Sequence, residues 1–319
     1  LVILLSGEQM TLPEAEARAL ILTQDEQADI QKVDDRVILA KTSAEPITIA
    51  RRISYGRRVG TLIPDGRLTN EQLDVLEASS YRITIFRLGR RKVDLEEIAP
   101  PIIEQINARI DLENPEYEIA VICGSKNYFI LTKSKIMQQD WFTRRPRSRA
   151  YFHPTAIFPK LARALVNLTR VKEGEVLLDP FAGTGSILLE GALVGARCIG
   201  VDISGKMVRG ALANQKKFNQ EWLGVILADS TRLPLMKVDA IVTDIPYGRA
   251  SSTFDSDVHE IMDALMEISP KLLDKAKRMV LMHPKSVTIQ QSKNFELEES
   301  HDIYIHRKLT RAITVLRRI

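Results

Sequence analysis

The sequence predicts an α/β protein in which a doubly wound, mostly parallel sheet fills the C-terminal half and two smaller α+β units precede it. Three observations carry this expectation. From about residue 158 onward, short apolar runs alternate strictly with amphipathic segments, as parallel strands and their crossover helices must. Before about residue 139, strands and helices follow one another in a looser order that repeats in kind after residue 68. Between them, "WFTRRPRSRAYFHP" holds two prolines and four arginines and breaks all periodicity, as a linker would.

The elements follow in order. "LVILLSGE" reads as a strand and "TLPEAEARALILTQ" as a helix whose Pro13 and Glu14 suit a first turn. "RVILAKTS" is a strand, "ITIARRIS" a short helix and "RRVGTLIPDG" a strand ending in a turn, which completes a first unit over 1–68. The second, over 69–138, reads as helix "TNEQLDVLEAS", strand "YRITIFRLG", helix "DLEEIAPPIIEQINARI" and the strand pair "YEIAVICGS" and "KNYFILTKS". A basic linker spans 139–157, and 158–319 is the parallel-sheet domain. Its strands are "EVLLDP", "RCIGVDIS", "GVILADS", "VDAIVTDIP" and "RMVLMHP", separated by helices except before the fourth. A final hairpin, "FELEESHDIYIHR" with "RAITVLRRI", puts an antiparallel strand at or near one edge.

Composition excludes several classes. At 319 residues the chain is long for one core, and 45% hydrophobic with 27% charged residues is the balance of a globular protein. Apolar runs such as "LVILL" are too short for a membrane span and nothing resembles a signal peptide, so a cytoplasmic protein without membrane contact is expected. Cys123 and Cys198 fall in different expected domains, against a disulfide framework. The five histidines show no metal-ligand spacing beyond His301 and His306, which fall in the expected hairpin, so no metal site is expected. A net charge of +4 permits a nucleic-acid partner without requiring one.

The chemistry concentrates at strand ends. "LLDPFAGTGSILLE" places Gly183 and Gly185 between a strand and a helix, where the chain turns sharply and passes close to a ligand. A dinucleotide fingerprint would need a third glycine where Leu188 stands, and no Gly-Lys-Ser/Thr follows to make a Walker loop. The glycine pair alone weighs evenly between a tight turn and a ligand loop. The acids shift that balance: Asp179, Asp202 and Asp229, with Ser230 beside it, end successive strands, and Asp244 ends the fourth. An acid at the second strand end can hold ribose hydroxyls, and Asp229 can accept from an adenine amine. A ligand with ribose, adenine and positive charge but no phosphates is S-adenosylmethionine. "VTDIPYGR" then runs a buried strand into Asp244, Pro246 and Tyr247, which suits an exocyclic amine. Asp244 and a backbone carbonyl can accept its hydrogens, and Tyr247 offers a face for a flipped base.

With "DPFAGTGS", "GVDIS", "ADS" and "DIPYG" in this order, the C-terminal half resembles the class I, Rossmann-like S-adenosylmethionine-dependent methyltransferases of the amino-methylating type. The upstream half, ending "YEIAVICGSKNYFILTK", looks like an N-terminal ferredoxin-like domain followed by a THUMP domain. "RPRSRAYFHPTAIFPKLARALVNLTRV" is similar to the connector and first helix of the archaeal and eukaryotic enzymes that methylate N2 of guanosine at position 10 of tRNA. The resemblance implies S-adenosyl-L-methionine held by Asp179, Gly183, Gly185, Asp202, Asp229 and Ser230, and a catalytic motif of Asp244, Pro246 and Tyr247. One position departs from the family's pattern: Ile245 stands where the first of two prolines is usual. The implied product is N2-methylguanosine or N2,N2-dimethylguanosine. The implied partner is tRNA, with room for a small zinc-binding activating subunit and an otherwise monomeric chain. Methylation of another amino group on tRNA or rRNA, and a non-catalytic tRNA-binding adaptor, stay open as alternatives.

Three basic clusters lie upstream of the sheet domain: Arg51, Arg52, Arg57 and Arg58; Arg87, Arg90, Arg91 and Lys92; and Arg144, Arg145, Arg147 and Arg149. Single clusters usually mark a solvated face. Three of them, near Trp141, Phe142, Tyr151 and Phe152, predict a surface that follows a phosphate backbone.

Overall fold

The computed structural model describes residues 1–9, 11–89, 95–134, 137, 140–232, 237–246, 255–289, 292–306 and 309–319. The chain divides into two compact units, Leu1–Gln139 and Asp140–Ile319. The first contains β1 (Val2–Leu5), α1 (Leu12–Gln24), β2 (Asp29–Asp34), β3 (Val37–Lys41), α2 (Pro46–Arg52) and β4 (Gly56–Ile63). It continues with α3 (Asn70–Glu77), β5 (Ser80–Arg87), α4 (Leu95–Ile103), β6 (Arg109–Ile110), β7 (Tyr117–Cys123) and β8 (Asn127–Lys133). Local chemistry sets several ends. Pro13 and Glu14 lie in the first turn of α1, where a missing N–H costs nothing and an acid meets the helix's positive end. Thr69 and Gln72 close a reciprocal capping box on α3.

These strands form one eight-stranded sheet, in the order β2-β3-β1-β4-β8-β7-β5-β6. It runs unbroken across residue 68, where the sequence pattern places a boundary. β4 and β8 make the join, with Thr61 opposite Leu131 and Ile63 opposite Phe129. Gly60 permits it, because a Cβ there would lie 2.2 Å from the Leu131 carbonyl oxygen. One face carries two helix-covered cores, Ile3 and Leu5 with Leu20 and Ile49, and Ile119 and Val121 with Leu76 and Ile102. A further cluster draws on both halves at once, Val2, Leu4 and Val37 with Ala120, Ile122 and Tyr128, and makes them one body. β2 has no apolar alternation to announce it, since "DIQKVD" is largely exposed. Its ladder to β3 holds it instead.

The second unit contains α5 (Pro159–Leu168), β9 (Val176–Asp179), α6 (Ser186–Ala192), β10 (Arg197–Asp202), α7 (Gly205–Lys217) and β11 (Gly224–Leu227). β12 (Val238–Asp244), α8 (Asp255–Leu272), β13 (Leu273–Pro284), β14 (Phe295–His306) and β15 (Leu309–Arg318) complete it. Strand order is β11-β10-β9-β12-β13-β15-β14. β9 to β13 pair in parallel, and β15 runs antiparallel between β13 and β14. The expected terminal hairpin is therefore present, with its second strand inserted inward and its first left at the edge. Leu178, Ile241, Met279 and Leu281 form the core with Val258, Met262 and Leu265 of α8. Chain order reverses between β9 and β12, and the crevice at such a reversal opens at the strands' carboxyl ends. No described helix is long and apolar enough to cross a membrane.

Candidate active site

β9 and β12 each deliver a carboxylate to that crevice. Asp179, 1% exposed, accepts from the Thr243 hydroxyl at 2.7 Å and from the Phe181 N–H at 3.1 Å. Burial pushes its carboxyl up to about 7; these two hydrogen bonds oppose the rise and the nearby Asp202 and Asp244 add to it. Asp244 Oδ2 accepts from Arg311 Nη1 at 2.8 Å. Its other oxygen, Oδ1, is buried with no hydrogen-bond partner among the described residues. Burial raises the Asp244 carboxyl to about 6 against the pull of Arg311. Ile245 is fully buried, and its N–H donates to the Met282 carbonyl at 2.9 Å. A proline could not make that bond, so the departure from the usual pattern extends the strand by one ladder contact beyond Asp244. Pro246 follows, half-buried; Tyr247 lies outside the described residues.

The glycine loop is tied to β10. Asp202 Oδ2 accepts from the Gly183 N–H at 2.9 Å and Oδ1 from the Ser204 N–H at 2.8 Å, so this acid shapes the loop while keeping lone pairs for a ligand. Gly183 has φ 51°, and a Cβ there would meet nothing within 4 Å. Gly185 differs: with φ 78° it caps α6, and a Cβ would lie 2.6 Å from the Trp222 ring. Asp229 Oδ1 accepts from the backbone and hydroxyl of Thr231, which with the charge of Arg232 hold its carboxyl below the usual range. It caps the turn that opens with buried Ser230. Two side chains that sequence reasoning missed stand beside these acids. Ile203 and Leu227, at the ends of β10 and β11, are 70% and 60% exposed. Their signal was available: an apolar residue within two positions of a strand-end acid on the ligand edge, Ile203 directly after Asp202 and Leu227 two before Asp229.

The third arginine cluster needs correction. Arg149 is buried, donating to Ser186 Oγ at 2.5 Å, to the Ile157 carbonyl at 3.1 Å and to the Arg144 carbonyl at 3.1 Å. Arg144 donates to Glu190 at 2.8 Å, and its guanidinium lies 5.2 Å from the Trp141 ring centre. Both face inward and bind the segment read as a linker to α6, so neither is available to phosphate. Asn214 of α7 continues the fastening, exchanging hydrogen bonds with the Tyr151 N–H and carbonyl and donating to the Thr184 carbonyl of the glycine loop. Arg145 and Arg147 are exposed, as is Arg87; Arg90 and Arg91 lie outside the described residues. In the first cluster, Arg58 also turns to a buried acid, Glu118.

A glycine turn over the first strand, acids at four strand ends and an antiparallel strand inserted beside the fifth define a class I methyltransferase. Residues 146–313 match the RMKL-like, methyltransferase domain family. The chain is 31% identical to the tRNA (guanine(10)-N2)-dimethyltransferase of Methanothermobacter thermautotrophicus, over 100% of this chain and 99% of that protein. To the tRNA (guanine(10)-N2)-dimethyltransferase of Methanocaldococcus jannaschii it is 34% identical, over 77% of this chain and 73% of that one. The chain belongs to this family of tRNA (guanine(10)-N2)-dimethyltransferases. Its fold is similar to that of TrmN from Thermus thermophilus, with a TM-score of 0.54 and 17% identity over 100% of this chain and 99% of that one.

Proposed function

We propose that this protein transfers methyl groups to the exocyclic N2 amine of guanosine 10 in tRNA, with S-adenosylmethionine as donor. The donor supplies, when bound, a methyl group on a sulfonium that leaves as a neutral thioether. The residues fit such a ligand. Gly183 leaves open space where any other residue would project a side chain, Asp202 keeps lone pairs for ribose hydroxyls, and Ile203 and Leu227 offer apolar surface to a purine. Asp179, Asp202, Asp229 and Asp244 together favour a cation over a phosphate-bearing ligand.

The observation that carries the reading is the open oxygen of Asp244. An exocyclic amine is a weak nucleophile because its lone pair is delocalised into the base. An acceptor on its N–H localises that pair on nitrogen, and the same carboxylate takes the proton as the new N–C bond forms. A single open acceptor also serves the secondary amine left by a first transfer, which retains one N–H. The products we infer are therefore N2-methylguanosine and N2,N2-dimethylguanosine. We assign 1–68 and 69–138 to ferredoxin-like and THUMP modules that hold tRNA, with Arg87, Arg145 and Arg147 on its phosphates. The test is nucleoside mapping of tRNA incubated with the protein and isotopically labelled donor. Label on N2 of guanosine 10 is expected; label confined to another nucleotide would overturn the assignment.

A further inference from the structure

We propose that Arg311 is a positioning residue for the transfer: by engaging Asp244 Oδ2 it turns Oδ1 toward the incoming amine. The proposal rests on the reading of Asp244 as the amine's acceptor. Register supports the geometry. Asp244 on β12 pairs with Met282 on β13, Met282 with Ile313 on β15, and Arg311 lies two residues from Ile313 on the same face. The guanidinium thus reaches across β13, with Nη1 3.7 Å from Met282 Sδ and 2.8 Å from Asp244 Oδ2. A carboxylate at a strand end can rotate about χ2. One oxygen fixed by a planar, half-buried cation leaves the other a single direction.

The ion pair has a second consequence. Burial raises the Asp244 carboxyl, and among the described residues its acidic neighbour is Asp179 on β9, whose own carboxyl is pushed up in part by the charge of Asp244. Arg311 is the cation that opposes burial at this carboxyl. Removing it leaves desolvation unopposed, so the carboxyl stays protonated to higher pH and loses its acceptor role near neutrality.

Single-turnover methylation of tRNA with saturating donor, followed from pH 5.5 to 9, tests this in the full-length chain. Arg311→Met is expected to lower the rate at pH 7 on the order of 10- to 10²-fold. Its acid limb should move up by about one pH unit or more, with partial recovery at pH 9. Arg311→Lys keeps the charge but not the planar fork; it should keep the parent's acid limb with a reduced plateau, and it carries the test if Arg311→Met does not fold. Asp244→Asn serves as the control for the underlying reading. If it retains near-normal turnover, Asp244 is not the acceptor and the basis fails. If it is slow while Arg311→Met or Arg311→Lys keeps the parent's rate and profile, only the role of Arg311 is overturned. In the double variant the two losses should not add, since Arg311 acts through Asp244; additive losses would also sink the proposal.

Discussion

Two carboxylates of the same unit, Glu190 in full burial and Asp244 half-buried, are matched differently. Glu190 on α6 is fully buried, with one oxygen 2.8 Å from Arg144 and the other 2.7 Å from Arg163. Among the described residues, Asp244 has a single arginine and one buried oxygen without a hydrogen-bond partner. The first unit repeats the matched case: Glu118 takes both Arg58 and Arg82, and these bonds outweigh burial to hold its carboxyl below the usual range. Asp244 goes the other way, up to about 6. A fully matched carboxylate is spent on structure, whereas a half-matched one retains an unsatisfied acceptor that a substrate can complete.

The largest expected effect breaks the matched case. Glu190→Ala leaves Arg163, 2% exposed, without its carboxylate and should cost about 3–5 kcal/mol in denaturant unfolding. A loss under about 1 kcal/mol would mean that α6 and the connector hold without the pair, and the contrast with Asp244 would collapse.

Next comes the half-matched acid. Asp244→Asn should reduce the single-turnover rate by about 10²-fold or more while donor and tRNA affinities change little. In the parent, the rate should climb with pH through about 6, as the buried carboxyl ionises. Stability carries opposite signs at the two kinds of site. Between the usual 3.8 and about 6, folded Asp244 holds a proton that the unfolded chain releases, so its contribution declines as pH rises through that window. Glu118 contributes fully above its usual 4.5 and loses that contribution as pH falls below it. In thermal melts across pH 3.5 to 8, Asp244→Asn should therefore gain stability relative to the parent as pH rises, whereas Glu118→Gln should lose it.

A smaller effect is expected at Asp202, which is matched by backbone rather than by arginine. Asp202→Ala should weaken donor binding by about 1–3 kcal/mol. Part of that loss comes through the freed Gly183 N–H, so tRNA affinity should hold. Calorimetry showing unchanged donor affinity in a folded variant removes this residue from the site. The smallest effect separates the exposed arginines from the inward ones. Arg147→Ala should leave stability unchanged and lower the salt dependence of tRNA binding by about one counterion, whereas Arg149→Ala should destabilise the fold. Equal behaviour of the two would erase the distinction drawn from their burial.

The sequence by itself determined the strand–helix rhythm after residue 158, the glycine turn and the acids at the first four strand ends. These are local: apolar runs, turn residues and the side chain at a strand's terminus occupy a few consecutive positions. It did not show β2, whose residues carry no alternation, nor the single sheet through the first unit, which depends on β4 meeting β8 across a glycine. Nor did it separate Arg149 from Arg147, two residues away in the same basic run, because a guanidinium's role follows from what its five donors reach. Arg311 is 67 residues from Asp244 and sits in a strand that reads as ordinary edge structure. Only the insertion of β15 beside β13 brings the two together. Which carboxylate is matched and which is left open was therefore decided by tertiary structure alone, because the partners that complete an acid come from strands and helices distant in the chain.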